Sequence, residues 1–521
     1  MNLHFLDQLQ KFKPMSDFQK SPFKQKYALI SCAGVAILAA FGGYGFVNLN
    51  QQIAQQNTTI AELKSLLESA RNIQVPLPTE NPVGKNSVAQ ETPGTANPDA
   101  PSAAQRAREK LKSMGIDASQ YTPLLLEAAR NGDVERLRLL VDAKAFVNSV
   151  DNEGRTVIYS AAREGHAECV KVLLSVPGVD VNKANQNGLT PLNVAASNGH
   201  AECVKLLLSA PAVDVNKANQ NGCTPLNVAA SEGHAECVKL LLSAPAVDVN
   251  KASQNGWTPL NAAASNGDAE CVKLLLSAPG VDVNMANKDS WTPLNVAASK
   301  GHAECVKLLL SAPAVDVNKA NQNGWTPLNG AASKGHAECV KLLLSAPGVD
   351  VNTPHKNGWT PLHVAASNGY AECVKMLLSA PGVDVNMTEE DGCTPLYVAV
   401  KEGHIECVNL LLSAPGVDVN IAEKSNGNTP LHRAVREKHY KCVEALLSSP
   451  ETDVNAVNKY GSTVLEEAAG AGDAECVRLL LNLSKIPIDL YKCSGNTPLK
   501  TAELRHHEEC VRLLRAAGAR R

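Results

Sequence analysis

One threonine recurs along this chain as Thr122, Thr156, Thr190, Thr224, Thr258, Thr292, Thr326, Thr360, Thr394, Thr429, Thr463 and Thr497, at steps of 34 residues with a single step of 35. Residues 291–324, WTPLNVAASKGHAECVKLLLSAPAVDVNKANQNG, are a representative copy of the unit. Twelve such copies over roughly residues 121–521 demand a stacked array, because so short a unit cannot bury its own apolar face and must lean on its neighbours. The 521 residues, which by length alone suggest roughly three or four globular domains, therefore resolve into one long solenoid with an N-terminal appendage.

Within the copy that starts at Thr190, the threonine can cap a helix and Pro191 suits its first position, where a missing N–H costs nothing. Gly199 ends that helix. A second helix runs from Ala201 through Leu208, with Cys203, Val204, Leu206 and Leu207 on its apolar face, until Pro211 blocks continuation. Val213, Asp214, Val215 and Asn216 alternate towards Asn221-Gly222, a dipeptide suited to a tight turn with positive φ. Each unit thus reads as two antiparallel helices and a β-hairpin-like finger.

The pattern Gly-x-Thr-Pro-Leu, Ala-Ala, Gly-His and Val-Lys-Leu-Leu-Leu resembles the ankyrin repeat over about three quarters of the chain. The resemblance implies an all-α solenoid of helix–turn–helix units whose fingers and first helices line a concave groove, and a protein that binds other proteins and is not an enzyme. Two departures stand out. The period is 34 where about 33 is common, through an extra residue in Ser-Ala-Pro-Gly-Val-Asp-Val-Asn. Asn193, Asn227, Asn261, Asn295 and Asn329 also replace the family's histidine after Thr-Pro-Leu, whereas His363 and His432 keep it. The heavily charged first and last units, with Arg130, Asp133, Glu135, Arg136 and Arg138 at one end and Arg505, His506, His507, Glu508, Glu509 and Arg512 at the other, read as solvated caps.

Eleven of the fifteen cysteines, from Cys169 to Cys510, hold one register position. Stacked helices lie about 8–10 Å apart, beyond the roughly 7 Å limit for bridged Cα atoms, so these thiols are expected to stay unpaired and serve as small buried hydrophobes. His200 and Cys203 share a helical turn, a spacing that zinc ligands or a Cys/His pair could use. Repetition in unit after unit points to packing instead, since a reacting centre needs a third group placed once. No phosphate-binding glycine loop, metalloprotease helix or nucleophile elbow is present, and neither catalytic residues nor a metal or cofactor is expected. A net charge of −3 offers no basic face for nucleic acid.

Ahead of the array, residues 1–26 carry Lys11, Lys13, Lys20, Lys24 and Lys26, and residues 27–47 are uncharged and apolar. At about 1.5 Å per residue that run can span a ~30 Å hydrocarbon core as an uncleaved signal anchor. The lysines place the short N-terminus in the cytoplasm and the array across the membrane. Over residues 48–71 the positions Leu49, Ile53, Gln56, Ile60, Leu63, Leu67 and Ala70, in phase with Phe46, form a short heptad seam. It reads either as a coiled coil joining copies through residues 46–70 or as one amphipathic helix leaving the bilayer. Proline-rich residues 72–101 form a flexible linker, and residues 102–521 the repeat domain, opening with a charged helix that covers the first unit.

Function is expected where the unit varies. The residue before the repeat threonine runs through Tyr121, Arg155, Leu189, Cys223, Trp257, Trp291, Trp325, Trp359, Cys393, Asn428, Ser462 and Asn496. All four tryptophans stand there consecutively, and by the resemblance this finger position faces the groove. Trp257, Trp291, Trp325 and Trp359 would form an aromatic stripe about 30 Å long at ~10 Å per unit, or pack on neighbouring fingers. Asn266, Lys300, Lys334 and Asn368, with Lys288, Asp289, His355 and Lys356 on the fingers, would supply a polar rim for a protein or peptide. The rival expectation is a structural spacer whose groove stays empty.

Overall fold

The computed structural model describes residues 101–482, 486, 488 and 496–520. Expected segments 1–26, 27–47 and 48–71, and the linker up to residue 100, lie outside them. Among the described residues no helix is long and apolar enough to cross a membrane.

The first described helix, α1 (Ala103–Ser113), starts at a reciprocal cap: Ser102 Oγ accepts from the Gln105 N–H at 3.2 Å, and Gln105 Oε1 accepts from the Ser102 N–H at 2.8 Å. It buries Ala107 and Leu111 against the first pair, α2 (Tyr121–Asn131) and α3 (Val134–Asp142), and Arg108 Nε donates to the Ala143 carbonyl at 3.1 Å. The expected charged cover of the first unit is therefore a packed helix. Among the described residues twelve helix pairs follow one another from α2 to the last helix, Glu508–Ala516.

Local chemistry sets each pair. In the third pair Thr190 Oγ1 accepts from the Asn193 N–H, Pro191 occupies the first turn, and the helix Pro191–Ser197 stops beside Gly199 at φ 74°. The second helix, Ala201–Leu208, buries Cys203, Val204 and Leu207, while Leu206 is only half-buried. All thirteen described cysteines are unpaired, and the eleven in common register are buried. Burial pushes the Cys203 and Cys339 thiols up to about 11, so they remain protonated and apolar at neutral pH.

The histidines that begin the second helices bridge the units. His200 Nε2 donates to the Arg163 carbonyl of the preceding unit at 3.0 Å, and His234, His302 and His404 do the same to Ser197, Ser265 and Ser367. The ring lies flat on a glycine: a Cβ at Gly165 would stand 2.7 Å from His200 Nδ1. Both the positive φ at that glycine and the ring's approach exclude a larger residue.

Four of the five asparagines after Thr-Pro-Leu, Asn193, Asn227, Asn261 and Asn295, do the work of the histidines they replace. Asn295 Oδ1 accepts from the Thr292 N–H at 3.0 Å and Thr292 Oγ1 at 2.7 Å, and its Nδ2 reaches the Lys319 carbonyl at 3.0 Å and the Trp325 carbonyl at 3.3 Å. His363 makes the same pair of connections through two ring nitrogens, Nδ1 to Thr360 Oγ1 at 2.9 Å and Nε2 to the Cys393 carbonyl at 3.0 Å. A second ladder runs through the Asp-Val-Asn segments. Asn182 donates to the Ala212 carbonyl and accepts from the Asp214 N–H, Asn284 does so to Ala314 and Asp316, and the pattern continues to Asn420.

The fingers correct one expectation. Alternation in Val-Asp-Val-Asn builds no strand, and among the described residues only two isolated antiparallel bridges occur, Val150 with Thr156 and Val457 with Thr463. The finger is too short for a ladder. Its ends meet through one bond, Asn185 N–H to the Leu189 carbonyl at 2.9 Å, and the Asn185 side chain ties the turn by accepting from the Asn187 and Leu189 N–H groups. Neighbouring fingers share a single backbone bond, such as Gln220 N–H to the Asn187 carbonyl at 3.1 Å. The residue behind the 35-residue step sits in the finger between Glu423 and Asn428, which closes by the bond from the Glu423 N–H to the Asn428 carbonyl at 3.0 Å.

Two stability measurements test the role of that third helix position. Burial holds the His363 pKa down at about 4, below an ordinary value near 6.5. Between those pH values the unfolded chain binds a proton that the native ring refuses, so stability present above pH ~6.5 is lost as pH falls towards 4, by about 3 kcal/mol. His363→Asn, which keeps an acceptor and a donor but cannot titrate, should flatten this part of a pH series of urea midpoints relative to the parent chain. Asn329 is the converse case, since its Nδ2 is buried without a hydrogen-bond partner among the described residues. Asn329→His should raise the urea midpoint at pH 8 by the equivalent of about 1 kcal/mol, and a lower midpoint would contradict the assignment.

Candidate partner-binding groove

Every tryptophan is held at its backbone before its ring does anything. The Asn287 side chain accepts from the Trp291 N–H at 2.9 Å, and the Trp291 carbonyl accepts from the Asn287 N–H at 3.0 Å and from Asn261 Nδ2 at 3.2 Å. Trp325 is fixed in the same way by Asn321 and Asn295, and Trp257 by Ser253 and Asn227. Trp359 differs: its carbonyl accepts from the His355 N–H at 3.0 Å, while the Asn329 amide of the preceding unit does not reach it. All four indoles are half-buried and keep an open edge.

The rings do not form one uniform stripe. His355, expected on the polar rim, stacks on Trp325 with ring centroids 4.7 Å apart and planes 21° apart, and faces Trp359 at 6.4 Å and 10°. Trp359 in turn leans on the buried His363 at 6.1 Å. Burial between the indoles lowers the His355 pKa below the usual imidazole value. Trp257 and Trp291 stack on no aromatic ring among the described residues. Two indoles share a ladder with a histidine, and Trp257 and Trp291 join no such ladder among the described residues.

A pocket of about 540 Å³ opens at Trp257. Fingers supply Asn221, Cys223, Ser253, Asn255 and Trp257, and first helices supply Asn227, Ser231, Glu232, Ala262, Asn266 and Lys300. Three expected site residues, Trp257, Asn266 and Lys300, thus line one pocket. Lys300 is anchored there by donating to Ser265 Oγ at 2.7 Å and to the Ser265 carbonyl at 3.1 Å. Trp291, Trp325, Trp359, Lys334 and Asn368 lie outside this pocket; Lys334 is exposed, and Asn368 turns its amide back to the Val364 carbonyl at 2.8 Å.

Ala262 is the groove residue that sequence reading passed over. Its position carries valine in the units of Thr190, Thr224, Thr292 and Thr360, so the smaller side chain beside Trp257 was a visible signal of open space. Gly330, at the same position one unit beyond Trp291, opens none: a Cβ there would stand 3.2 Å from Ser299 Cβ, so the adjacent first helices approach closely. The histidines and cysteines once considered for chemistry diverge, with His200 bonded to Arg163 and Cys203 buried in the stack. Among the described residues no group of three or more His, Cys, Asp or Glu side chains is arranged to hold a metal ion.

Comparison with known proteins follows this geometry. The family profile described as Ankyrin repeats (3 copies) matches residues 104–185, 174–253, 245–321, 312–389, 381–458 and 450–520. Osteoclast-stimulating factor 1 of Danio rerio is 39% identical over 56 residues, 11% of this chain and 26% of that protein. Its counterpart from Rattus norvegicus is 40% identical over 58 residues, 11% of this chain and 27% of the relative. The chain spans about a quarter of the length of these relatives.

The ring ladder gives a direct readout. Removing the imidazole by His355→Ala exposes the facing surfaces of Trp325 and Trp359 and should shift tryptophan emission to longer wavelength. Lys356→Ala on the same finger should not, and identical spectra for the two variants would contradict the stacking.

Proposed function

This chain belongs to the ankyrin-repeat family, and on that premise we propose that it is a membrane-anchored scaffold whose groove binds a protein or peptide partner across the units that carry Trp257, Trp291, Trp325 and Trp359. The observation that carries this reading is the pocket at Trp257, where an indole held by its finger, the Asn266 amide and the anchored Lys300 ammonium converge. Large, half-open aromatic surfaces on rigid supports lose little conformational entropy on binding and are favoured at interface hot spots.

Anchoring is proposed from the sequence alone. The apolar run 27–47 behind five lysines supports a single span with a cytoplasmic N-terminus and an extracytoplasmic array, and the seam through residues 46–70 would let copies associate. Protease access to intact cells tests the orientation: the array should be digested from outside.

Partner capture by the full chain in membranes tests the groove. Replacing all four tryptophans with alanine, with helical circular dichroism retained, should lower capture about tenfold or more. Undiminished capture would sink the groove reading, and stable self-oligomers with no other protein retained would favour a spacer.

A further inference from the structure

Two groups of lysines in the tryptophan block contrast. On the second helices Lys273, Lys307 and Lys341 each pair with a glutamate three residues earlier, at 3.6, 3.5 and 3.3 Å. On the finger tips and first-helix ends of the tryptophan block, Lys288, Lys300, Lys334 and Lys356 are exposed, and none has a carboxylate within ion-pair distance among the described residues. Asp289 is the one acid on those same tips and helix ends. Asp268, at a neighbouring turn, is engaged in capping the Cys271 N–H.

These cations are placed, not merely present. Lys300 bonds to the neutral oxygens of Ser265, which fix its position without cancelling its charge. The backbones of Lys288 and Lys356 are held by N–H bonds to the Asn255 and Asn323 carbonyls of preceding fingers, both at 3.1 Å. The basic stretch also has borders. Glu232 occupies the equivalent helix end on one side, and Glu390 and Asp391 the finger tip on the other. A chain with net charge −3 therefore carries a confined positive window, and it coincides with the tryptophans.

We infer that the partner's docking segment is an extended acidic peptide with apolar side chains interspersed, its carboxylates meeting Lys288, Lys300, Lys334 and Lys356 and its apolar groups lying on the indoles. This rests on the groove reading above. Three steps of ~10 Å from the unit of Trp257 to that of Trp359 span about 30 Å, or about nine extended residues. Carboxylates beyond that length would meet Glu232 at one end or Glu390 and Asp391 at the other, so the borders set the register. Nucleic acid fits less well, because its phosphates continue past both borders and the window offers no arginine.

A displayed library of random nonapeptides, selected on the full chain in detergent, tests this. Selected peptides should be enriched in Asp and Glu. One of them, followed by fluorescence anisotropy, should bind about tenfold more weakly to a Lys300→Glu/Lys334→Glu variant, and more weakly as salt rises. Lys307→Glu/Lys341→Glu, on the outer helices, should leave binding unchanged. Selected peptides that need the tryptophans but lack acidic residues would overturn this inference and spare the groove; peptides bound equally by the four-alanine variant would overturn the groove as well. Acidic peptides indifferent to Lys300 and Lys334, displacement by a nine-nucleotide oligothymidine, or no selection at all would each overturn the inference.

Discussion

In six units one side chain couples the start of a helix to the finger of the next unit. Asn227, Asn261 and Asn295 accept from the threonine cap of their own helix and donate to the carbonyls of Trp257, Trp291 and Trp325. The amide is buried, so either connection left unmade would cost roughly 1–3 kcal/mol. Trp257, Trp291 and Trp325 are consequently located by the unit before them as much as by their own fingers, and a residue on a short turn acquires the rigidity of the stack.

The constant groups are occupied by that stack. Histidines at the second helices bond to carbonyls of the preceding unit, glycines beneath them admit the rings, and burial raises the Cys203 thiol to about 11 and the Cys271 thiol to about 12. What remains free to differ is the finger and the solvent end of the first helix. There the chain places its indoles and its unpaired lysines. The division follows from geometry: a group touching both neighbours cannot change in one unit without disturbing two interfaces, whereas an exposed group is under no such constraint.

Features fixed by local chemistry were legible in the residues. Thr-Pro caps, glycine stops, the second-helix face and the burial of in-register cysteines all depend on contacts within a few residues or on simple periodicity. Matters set by neighbours one period away were not. His355 stands next to Lys356 and reads as rim, yet the spacing of stacked fingers inserts it between Trp325 and Trp359. The exchange of asparagine for histidine reads as a departure until both of its bonds, one near and one about 30 residues on, are in view. Val-Asp-Val-Asn alternates as a strand would, but its Asn is taken by the neighbouring unit's backbone and its partner strand never forms.

The ladder from Asn148 to Asn420 has a further consequence. Every rung from Asn148 to Asn386 reaches a carbonyl 30 residues on and an N–H 32 residues on. Removing or adding any whole 34-residue block between those rungs returns each asparagine to an equivalent partner, so array length can change by whole units without breaking the ladder. The step of 35 marks the boundary of that freedom, for there Asn420 reaches Glu451 and Asp453 instead, 31 and 33 residues away. Within it the chain is a tape whose two end units stay the same at any length, and its reach is the quantity that changes.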